Sequence, residues 1–441
     1  PCGWEIGLPR GFMQNLLAMT IQYSKEIALT MTKTKGEKMS KICYVAFVAF
    51  ALLGVIAQAQ GKSQATKSPK PHIENLRKMY SNADSTKWTK AHIDEAVVED
   101  FARQLGLLQS SQNLNELDSK KRGEIEAQVR AHLEIAPLPK TPPYPAHNPY
   151  SKEKRDLGEK LFNEPRLSAS NQIACANCHD KELGFADGRS VSYGHNRQLG
   201  RRNSPSVAMS AFGKEKFWDG RAQDLESQSL FPIADPLEMA YNADKAAKKL
   251  RKIKEYKELF KIAFGTDKIT KELLAKALAT YQRSLMPAQN RFDRFLNGNG
   301  KGLSDEEVWG LHLFRTKARC INCHNGVAFS DGKFHNLGLH FYGREKYEDL
   351  GRYEVTKNPS DVGAFKTPSL RGVAKSAPYM HNGLFPHLRG VLFGYNFGMA
   401  KPEPQEGRTY NPPFPKSDEI LRPLNLSEEE INALEAFLRV L

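Results

Sequence analysis

The sequence predicts a mainly α-helical chain with two domains of the same kind and a helical extension in front of them. The first observation is a seven-residue stretch that occurs twice, as A-C-A-N-C-H-D at residues 174–180 and as R-C-I-N-C-H-N at residues 319–325. The second is that apolar residues recur at helical spacing in several stretches. The third is a Ser-x-x-Glu capping signal that opens a helical pattern at Ser304 and again at Ser427.

The repeated stretch contains the motif Cys-x-x-Cys-His. Two thiols at this spacing can form thioethers to the vinyl groups of a haem, and the adjacent histidine can bind the iron. A zinc site or two disulfides are the alternatives, but zinc ribbons place cysteine pairs about 15 to 20 residues apart. The pairs here are separated by more than 140 residues. The sequence therefore predicts two covalently bound c-type haems, attached through Cys175, Cys178 and His179 and through Cys320, Cys323 and His324.

Residues 1–59 are predicted to be an upstream extension of the reading frame followed by a signal peptide near residues 39–59. Lys41, an apolar run over residues 42–57 and the small-residue site A-Q-A have the order of a secretory signal. A membrane anchor is the alternative, but the run is shorter than the roughly 20 residues that a spanning helix needs. We therefore expect a periplasmic protein, in which all four remaining cysteines serve haem attachment.

Residues 60–140 are predicted to form a helical N-terminal extension without a cluster of metal ligands. A polar linker is followed by two apolar series at helical spacing, Ile93, Val97, Phe101 and Leu105, then Ile125, Val129 and Leu133. The proline-rich residues 137–149 cannot continue a helix, which marks a domain boundary there.

Residues 141–296 are predicted to be the first haem domain. A short helix at residues 156–162 precedes the motif, and a glycine-rich loop after it carries His195, sixteen residues after His179. Two amphipathic helices are expected within residues 243–285, the second capped by Thr270. The first has a lysine-rich face, for which a solvated surface is the simpler interpretation and a docking patch for an acidic protein the alternative.

Residues 297–441 are predicted to be the second haem domain. The stretch N-G-N-G at residues 297–300 breaks the chain, and the capping signal at Ser304 opens a helix at residues 308–315 that leads to Cys320. A closing helix follows Ser427. Short haem-linked helices and long loops in both domains predict two cytochrome-c-like folds.

The formal net charge is +14 at pH 7, which favours acidic partners. For an exported protein we expect a small electron-donor protein, a cytochrome c or a cupredoxin, and no nucleic acid. A homodimer is a further expectation.

Additional motifs surround the two haem motifs in a fixed order. They include R-N-S-P at residues 202–205, F-W-D-G-R at 217–221, D-L-G-R at 349–352, F-K-T-P-S-L-R at 365–371 and A-P-Y-M-H-N-G at 377–383. With Gln228, Pro232 and Glu238 at their spacing, this pattern resembles the bacterial di-haem cytochrome c peroxidase family, which includes the MauG-type enzymes. The resemblance extends from about residue 144 to residue 441.

The resemblance implies roles in the first domain. His179 would be the proximal ligand of the peroxide-reacting haem and His195 its displaceable distal ligand. Glu238 would move a proton between the peroxide oxygens, and Gln228 would orient peroxide. Trp218 would lie between the haems and shorten the electron path. A solvated carboxylate for Glu238 and an ordinary core aromatic for Trp218 are the simpler alternatives.

The resemblance also implies a calcium ion between the domains, held by Asn203 and by the backbone carbonyls of Ser376 and Pro378, since oxygen donors suit that ion.

The second haem, with His324 as its proximal ligand, has two candidate sixth ligands. Tyr395 lies fourteen residues after His381, and Met399 follows four residues later. A tyrosinate favours ferric iron, whereas a thioether favours ferrous iron. We expect Tyr395, with Met399 as the alternative.

The predicted function is reduction of hydrogen peroxide to water in the periplasm, with electrons from a small redox protein. A MauG-like oxidase acting on a protein or organic substrate is the alternative. A third class is a non-catalytic di-haem electron carrier, against which Gln228 and Glu238 argue because a carrier needs no acid-base residue.

Overall fold

The structure is a computed structural model that describes residues 72–441, and within these residues the chain is mainly α-helical. The predicted upstream extension and signal peptide, residues 1–59, lie outside the described residues, as does the stretch up to residue 71. Among the helices of residues 72–441, none has the length and apolar character that crossing a membrane requires.

Three helices form the N-terminal extension, α1 (Ile73–Tyr80), α2 (Glu95–Gln104) and α3 (Ser119–Leu133). Helix α3 begins where the Asp118 carboxylate accepts hydrogen bonds from the backbone N–H groups of Lys120 and Lys121, at 3.0 and 2.9 Å. The two predicted helices of this region are therefore present. The first apolar series is longer than helix α2, since Ile93 precedes the helix and Leu105 follows it.

The middle of the chain holds six helices, α4 (Lys152–Phe162), α5 (Leu225–Gln228), α6 (Phe231–Ala234), α7 (Ala243–Leu250), α8 (Lys254–Phe264) and α9 (Lys271–Ser284). The prediction of two helices within residues 243–285 was wrong, because the first is divided into α7 and α8. The division falls where Arg251 donates a hydrogen bond to the backbone oxygen of Ile269 at 2.6 Å. The Thr270 cap of α9 is confirmed, with its hydroxyl accepting from the Leu273 N–H.

The C-terminal part contains α10 (Arg291–Leu296), α11 (Asp305–Arg315), α12 (Tyr353–Thr356), α13 (Leu388–Asn396) and α14 (Glu428–Val440). Two short strands, β1 (Phe334–His335) and β2 (Phe365–Lys366), pair antiparallel, with Phe334 opposite Lys366. Both predicted capping boxes are confirmed, and the one at Ser304 starts α11 three residues before the predicted helix.

The same helix crossing occurs twice, once beside each haem motif. Helix α4 packs on α9 at Gly158, where a Cβ would lie 2.1 Å from the backbone oxygen of Ala277. Helix α11 packs on α14 at Gly310, where a Cβ would lie 1.9 Å from the backbone oxygen of Ala433. An aromatic pair stands one turn later in each crossing, with ring centroids 5.2 and 5.4 Å apart, Phe162 with Tyr281 and Phe314 with Phe437. Two helical units thus repeat one packing arrangement.

The N-terminal extension shares a hydrophobic core with the second of these units. Tyr80, Val129 and Leu133 are buried in the same cluster as Phe314 and Ile321, and Ile321 lies inside the second haem motif. The first unit has its own cluster, against which Cys175 and Ala176 of the first motif pack. The extension is therefore part of the structure that surrounds the second motif.

Helix α10 also belongs to the second core. Phe292 and Phe295 are both fully buried there and Phe292 packs edge-on against Phe437 of α14, with ring centroids 5.5 Å apart. A domain boundary at residue 297 would therefore separate these two aromatic residues from the core in which they are buried.

Candidate active site

A single cavity of about 1300 Å³ connects the two motifs. Its wall includes Cys175, Cys178 and His179 from the first motif and Cys320, Cys323 and His324 from the second. Pockets for one small molecule usually measure about 300 to 1000 Å³, so this space exceeds what one ligand of ordinary size requires.

The histidines of both motifs are oriented by the backbone. His179 Nδ1 lies 3.0 Å from the Phe185 oxygen, and His324 Nδ1 lies 2.9 Å from the Phe329 oxygen. Because a carbonyl oxygen only accepts, each Nδ1 carries the proton and each Nε2 has a free lone pair. Burial also lowers the pKa of both imidazoles. Both rings are thus in the neutral tautomer that binds iron through Nε2.

The cysteines fit covalent attachment of a haem. Burial raises the pKa of the Cys175 and Cys320 thiols to about 12, and the two partner cysteines line the same cavity. No cysteine of residues 72–441 is in a disulfide. The donor set and the cavity therefore fit one c-type haem at each motif.

Glu238 and Gln228 both reach the cavity beside the first motif. Helix α5, which ends at Gln228, starts where the Asp224 carboxylate accepts from the Ser227 N–H at 2.7 Å. A turn in which the Asp235 carboxylate accepts from the Leu237 N–H at 2.8 Å presents Glu238. Burial, reinforced by the Asp235 charge, raises the pKa of Glu238 to about 7. The Gln228 Oε1 is buried without a hydrogen-bond partner.

His195 lies in a tight loop next to Glu238. The backbone N–H of His195 donates to the backbone oxygen of Glu238 at 2.7 Å. A Cβ on Gly194 would lie 1.9 Å from the backbone oxygen of Leu237. The ring Nδ1 is buried without a partner. Gly194 and Glu238 line the cavity, whereas His195 is not among the described residues that line it. We call the parts of the cavity beside the first and the second motif the first and the second haem compartment. The loop therefore carries His195 next to the first compartment, outside its described wall.

Trp218 lines the cavity and is fixed from two sides. Its indole N–H donates to the Asn203 backbone oxygen at 2.9 Å, and its own backbone oxygen accepts from the Lys366 N–H at 2.8 Å. The indole is 6.5 Å, centroid to centroid, from the imidazole of His381, which stacks on Phe365 at 3.5 Å. Adjacent aromatic rings thus extend from Trp218 through His381 to Phe365 in the second helical unit.

The three predicted calcium donors lie in the wall of the same cavity, at Asn203, Ser376 and Pro378. The Asn203 amide nitrogen donates to the Arg189 oxygen at 2.8 Å, so the side-chain oxygen is the atom left for a cation. Oxygen donors of this type suit calcium.

The two candidate sixth ligands of the second haem have different surroundings. Tyr395 lines the cavity, and its pKa is raised by burial and by Cys323 and Cys320. Met399 is 4% exposed and packs with Leu339 and Phe385 in a small apolar cluster, and it is not among the described residues of the cavity wall. Only the tyrosine of this pair reaches the cavity.

Two charged groups in the wall received no role in the sequence analysis. Arg202 is bound by Asp349 at 2.7 Å and Asp219 at 2.5 Å, which joins the two helical units. His335 lies between Asp331 at 2.8 Å and Asp418 at 2.6 Å, which raises its pKa and keeps it charged. The family motifs include Arg202, Asp219 and Asp349, so the first group could have been suspected, but no local signal marks His335.

Comparison with known proteins identifies the family. The profile of the di-haem cytochrome c peroxidase family matches residues 152–301. A cytochrome-c peroxidase, IdrP1 of Pseudomonas sp. (strain SCT), is 36% identical over 341 residues, which cover 70% of this chain and 86% of that protein. The chain belongs to the di-haem cytochrome c peroxidase family. It is an enzyme of the di-haem peroxidase family, which acts on peroxide and carries two c-type haems.

The family includes proteins of both predicted types. The methylamine utilization protein MauG of Methylorubrum extorquens is 36% identical over 307 residues, covering 69% of this chain and 82% of that protein. A solved structure of a MauG-like protein associated with microbial copper homeostasis has 31% identity and a TM-score of 0.62, covering 69% of this chain and 94% of that one. These similarities support peroxidase or oxidase chemistry at two haems.

Proposed function

We propose that this family member reduces hydrogen peroxide to water at the first motif, with electrons from a small acidic redox protein in the periplasm. The observation that carries the proposal is the pairing of Glu238 and Gln228 in the cavity wall beside Cys175 and His179. A carboxyl with a pKa of about 7 is half ionised near neutral pH, which suits a group that both accepts and returns a proton.

The chain's own side chains divide the work on peroxide. The bound haem supplies reversible one-electron chemistry at the iron. Glu238 would take a proton from one peroxide oxygen and deliver it to the other, which leaves as the first water; two electrons from the donor protein and two protons convert the remaining oxygen to the second water. The Oε1 atom of Gln228 has no other hydrogen-bond partner, so it can accept a hydrogen bond from peroxide or water and orient it. Trp218 places an aromatic ring between the two compartments, where it shortens the distance that electrons must cross.

His195 acts in this proposal as a gate that enters or leaves the first compartment. Asn196 and Arg197, which follow it, both have positive φ angles of 54° and 58°. This region costs most side chains roughly 1 to 2 kcal/mol, although asparagine tolerates it, so the strain falls on Arg197. Relief of that strain would favour a change of loop conformation, which would move the imidazole relative to the cavity.

A MauG-like oxidase is the second candidate, and the position of Tyr395 favours it. A tyrosinate ligand lowers the reduction potential of its iron and favours the ferric and higher states. The second haem would then share oxidising equivalents with the first and withdraw electrons from a protein or organic substrate. The similarity to MauG and to the MauG-like protein of copper homeostasis supports this candidate.

Stopped-flow absorption of the protein mixed with peroxide separates the candidates. The oxidised and the half-reduced protein are each mixed with one equivalent of peroxide, alone and with a reduced small cytochrome c. Peroxidase function predicts fast reaction of the half-reduced form and repeated turnover with the cytochrome. Reaction of the fully oxidised form, slow oxidation of the cytochrome and accumulation of an oxidised state on both haems would instead establish the oxidase.

The gate is tested in the same apparatus. Replacing His195 by Gly should make the first haem of the oxidised enzyme high-spin and speed its reaction with peroxide without prior reduction. The matched control is His147→Gly, an exposed histidine outside the cavity wall. Equal peroxide rates in the wild type and in His195→Gly would refute the gating role.

A further inference from the structure

We propose that Lys216 and Lys366 form a carboxylate-binding site between the two haem compartments and that a haem propionate occupies it. The site would join the two helical units through a cofactor group, because Lys216 belongs to the first unit and Lys366 lies in β2 of the second.

The first observation is that these lysines lack a counter-charge. Among the described residues, two lysine and six arginine side chains line the cavity. Each arginine has a carboxylate partner within 4 Å; the six are Arg201, Arg202, Arg221, Arg319, Arg371 and Arg422. The two lysines have only backbone oxygens. Lys216 Nζ donates to the oxygens of Gly213 at 2.6 Å and Ser210 at 2.8 Å, and Lys366 Nζ donates to the oxygen of Glu215.

The second observation is that the two ammonium groups converge on one place. Lys216 Nζ binds the Gly213 oxygen, and a Cβ on Gly213 would lie 3.4 Å from Lys366 Nζ. The carboxylates that act on Lys366 are already engaged, Glu215 by Arg352 and Asp331 by His335. Those that act on Lys216 are engaged as well, Glu226 by Arg283 and Asp224 by the N–H of Ser227 at the start of α5. Two cations thus face one apolar cavity with no protein anion available between them.

The energetics of burial make such an arrangement costly without an anion. An ammonium group removed from water needs a charged partner, or it loses its proton. Burial and the neighbouring charge of Lys366 lower the pKa of Lys216 to about 7, and burial lowers the pKa of Lys366. A carboxylate between the two groups would keep both protonated and would neutralise part of their repulsion.

The chemistry of the expected cofactor supplies such a carboxylate. Each haem carries two propionate groups. Lys216 and Lys366 line the same cavity as both motifs, and Lys366 adjoins Trp218, whose backbone oxygen accepts the Lys366 N–H at 2.8 Å. A soluble carboxylate is the other source of the same group. The two sources differ in whether the bound carboxylate is part of the haem.

The test uses the mature holoprotein without peroxide, so its outcome does not depend on the proposed function. Lys216→Met and Lys366→Met remove one ammonium group each, and Lys216→Arg and Lys366→Arg keep the charge. Lys249→Met is the matched control, since the Lys249 ammonium also binds carbonyl oxygens, at Arg166 and Asn171, but is not part of the cavity wall.

Resonance Raman spectra report the propionate bending bands, and a redox titration reports the potentials. The methionine variants should shift a propionate band and lower the potential of at least one haem, while the arginine variants and Lys249→Met keep the wild-type bands. If a methionine variant does not mature, the corresponding glutamine variant removes the charge while retaining a polar N–H donor.

Unchanged propionate bands in both methionine variants would overturn the assignment. Titration with formate then identifies the source. A formate-induced change in the wild-type absorption spectrum that both methionine variants lose, with unchanged propionate bands, would mean that the site takes a soluble carboxylate and would refute the haem propionate as its occupant.

Discussion

At the residue scale, the position of Glu238 predicts a pH dependence. Its pKa is raised to about 7 by burial, so the carboxylate that accepts the peroxide proton forms above that pH. We expect kcat/KM for peroxide to rise with pH and to level off above about 7. Because the folded pKa exceeds the ordinary value of 4.5, the ionised group destabilises the fold, so its contribution to stability falls as pH rises from about 4.5 to about 7.

Replacing Glu238 by Gln tests the same assignment without a change in size. Turnover should fall about 100-fold or more and the rise in kcat/KM near pH 7 should disappear, since a proton carrier is lost. The pyridine haemochrome spectrum, which measures haem content, should stay as in the wild type. The assignment fails if the variant turns over at the wild-type rate.

Tyr395 and Met399 give a second prediction at this scale. Because only Tyr395 lines the cavity, Tyr395→Phe should raise the potential of the second haem, whereas Met399→Leu should leave it unchanged. The measurement is a redox titration combined with near-infrared absorption of the oxidised protein. A methionine-to-iron absorption band that vanishes only in Met399→Leu would contradict the choice of tyrosine.

At the scale of elements, the repeated helix crossing depends on its glycines. In Gly158→Ala and Gly310→Ala the new methyl group would clash with the backbone of α9 or α14. The Cβ positions lie only 2.1 and 1.9 Å from carbonyl oxygens, which is well inside van der Waals contact. We expect each substitution to lower the free energy of unfolding by about 1 to 3 kcal/mol or more.

The control for the glycine variants lies on α3. A Cβ on Gly123 meets no atom within 4 Å, and the residue is exposed in the middle of the helix. Gly123→Ala should therefore raise the free energy of unfolding by roughly 0.5 to 1 kcal/mol through helix propensity alone. Denaturant unfolding followed by far-ultraviolet circular dichroism compares the three variants. Equal stability of the crossing variants and the control would show that the crossings tolerate a methyl group.

At the scale of the whole molecule, Arg315 joins the N-terminal extension to the second unit. Its guanidinium is 1% exposed and binds the Glu134 carboxylate at 2.8 Å, the Tyr80 hydroxyl at 3.0 Å and the Thr89 oxygen at 3.0 Å, all from the extension. Replacing it by Met leaves Glu134 without its charge partner. Breaking a buried pair in this way costs about 3 to 5 kcal/mol.

The prediction is that Arg315→Met detaches the extension more readily than a surface change does. The control is Asp305→Asn, which removes an exposed pair with Arg77 of the extension and should cost about 1 kcal/mol or less. Limited proteolysis with mass spectrometry measures how quickly residues 72–135 are cleaved. Protection of the extension in Arg315→Met equal to that in Asp305→Asn would contradict the anchoring role.

The two copies of the haem motif show what the extension does to its surroundings. Asn177 of the first motif is exposed, whereas Asn322 of the second is 2% exposed. The Asn322 side chain accepts from the Asp94 N–H at 2.8 Å and donates to the His92 oxygen at 3.0 Å. One motif therefore has two environments, and the difference comes from a segment more than 220 residues away in sequence.

The sequence by itself determined the features that depend on local spacing. Each haem-binding motif consists of five consecutive residues, so the sequence alone reveals it. The caps at Ser304 and Ser427 likewise satisfy helix N–H groups within one turn. The order of motifs around Glu238 was sufficient to recognise the family. The sequence also contains a glycine followed four residues later by a phenylalanine at Gly158 and again at Gly310. Only the helix crossings show that both glycines allow two helices to pack closely.

Only the tertiary structure decided which side chains share the cavity. The choice between Tyr395 and Met399, one helical turn apart, depends on the direction in which each residue leaves the end of α13, and spacing does not contain that information. The same holds for Lys216 and Lys366, which are 150 residues apart and meet at Gly213, and for the extension, whose apolar stripes fit a core formed by α10, α11 and α14. Burial and charge compensation are properties of contacts between distant segments, so they become defined only when the chain has folded.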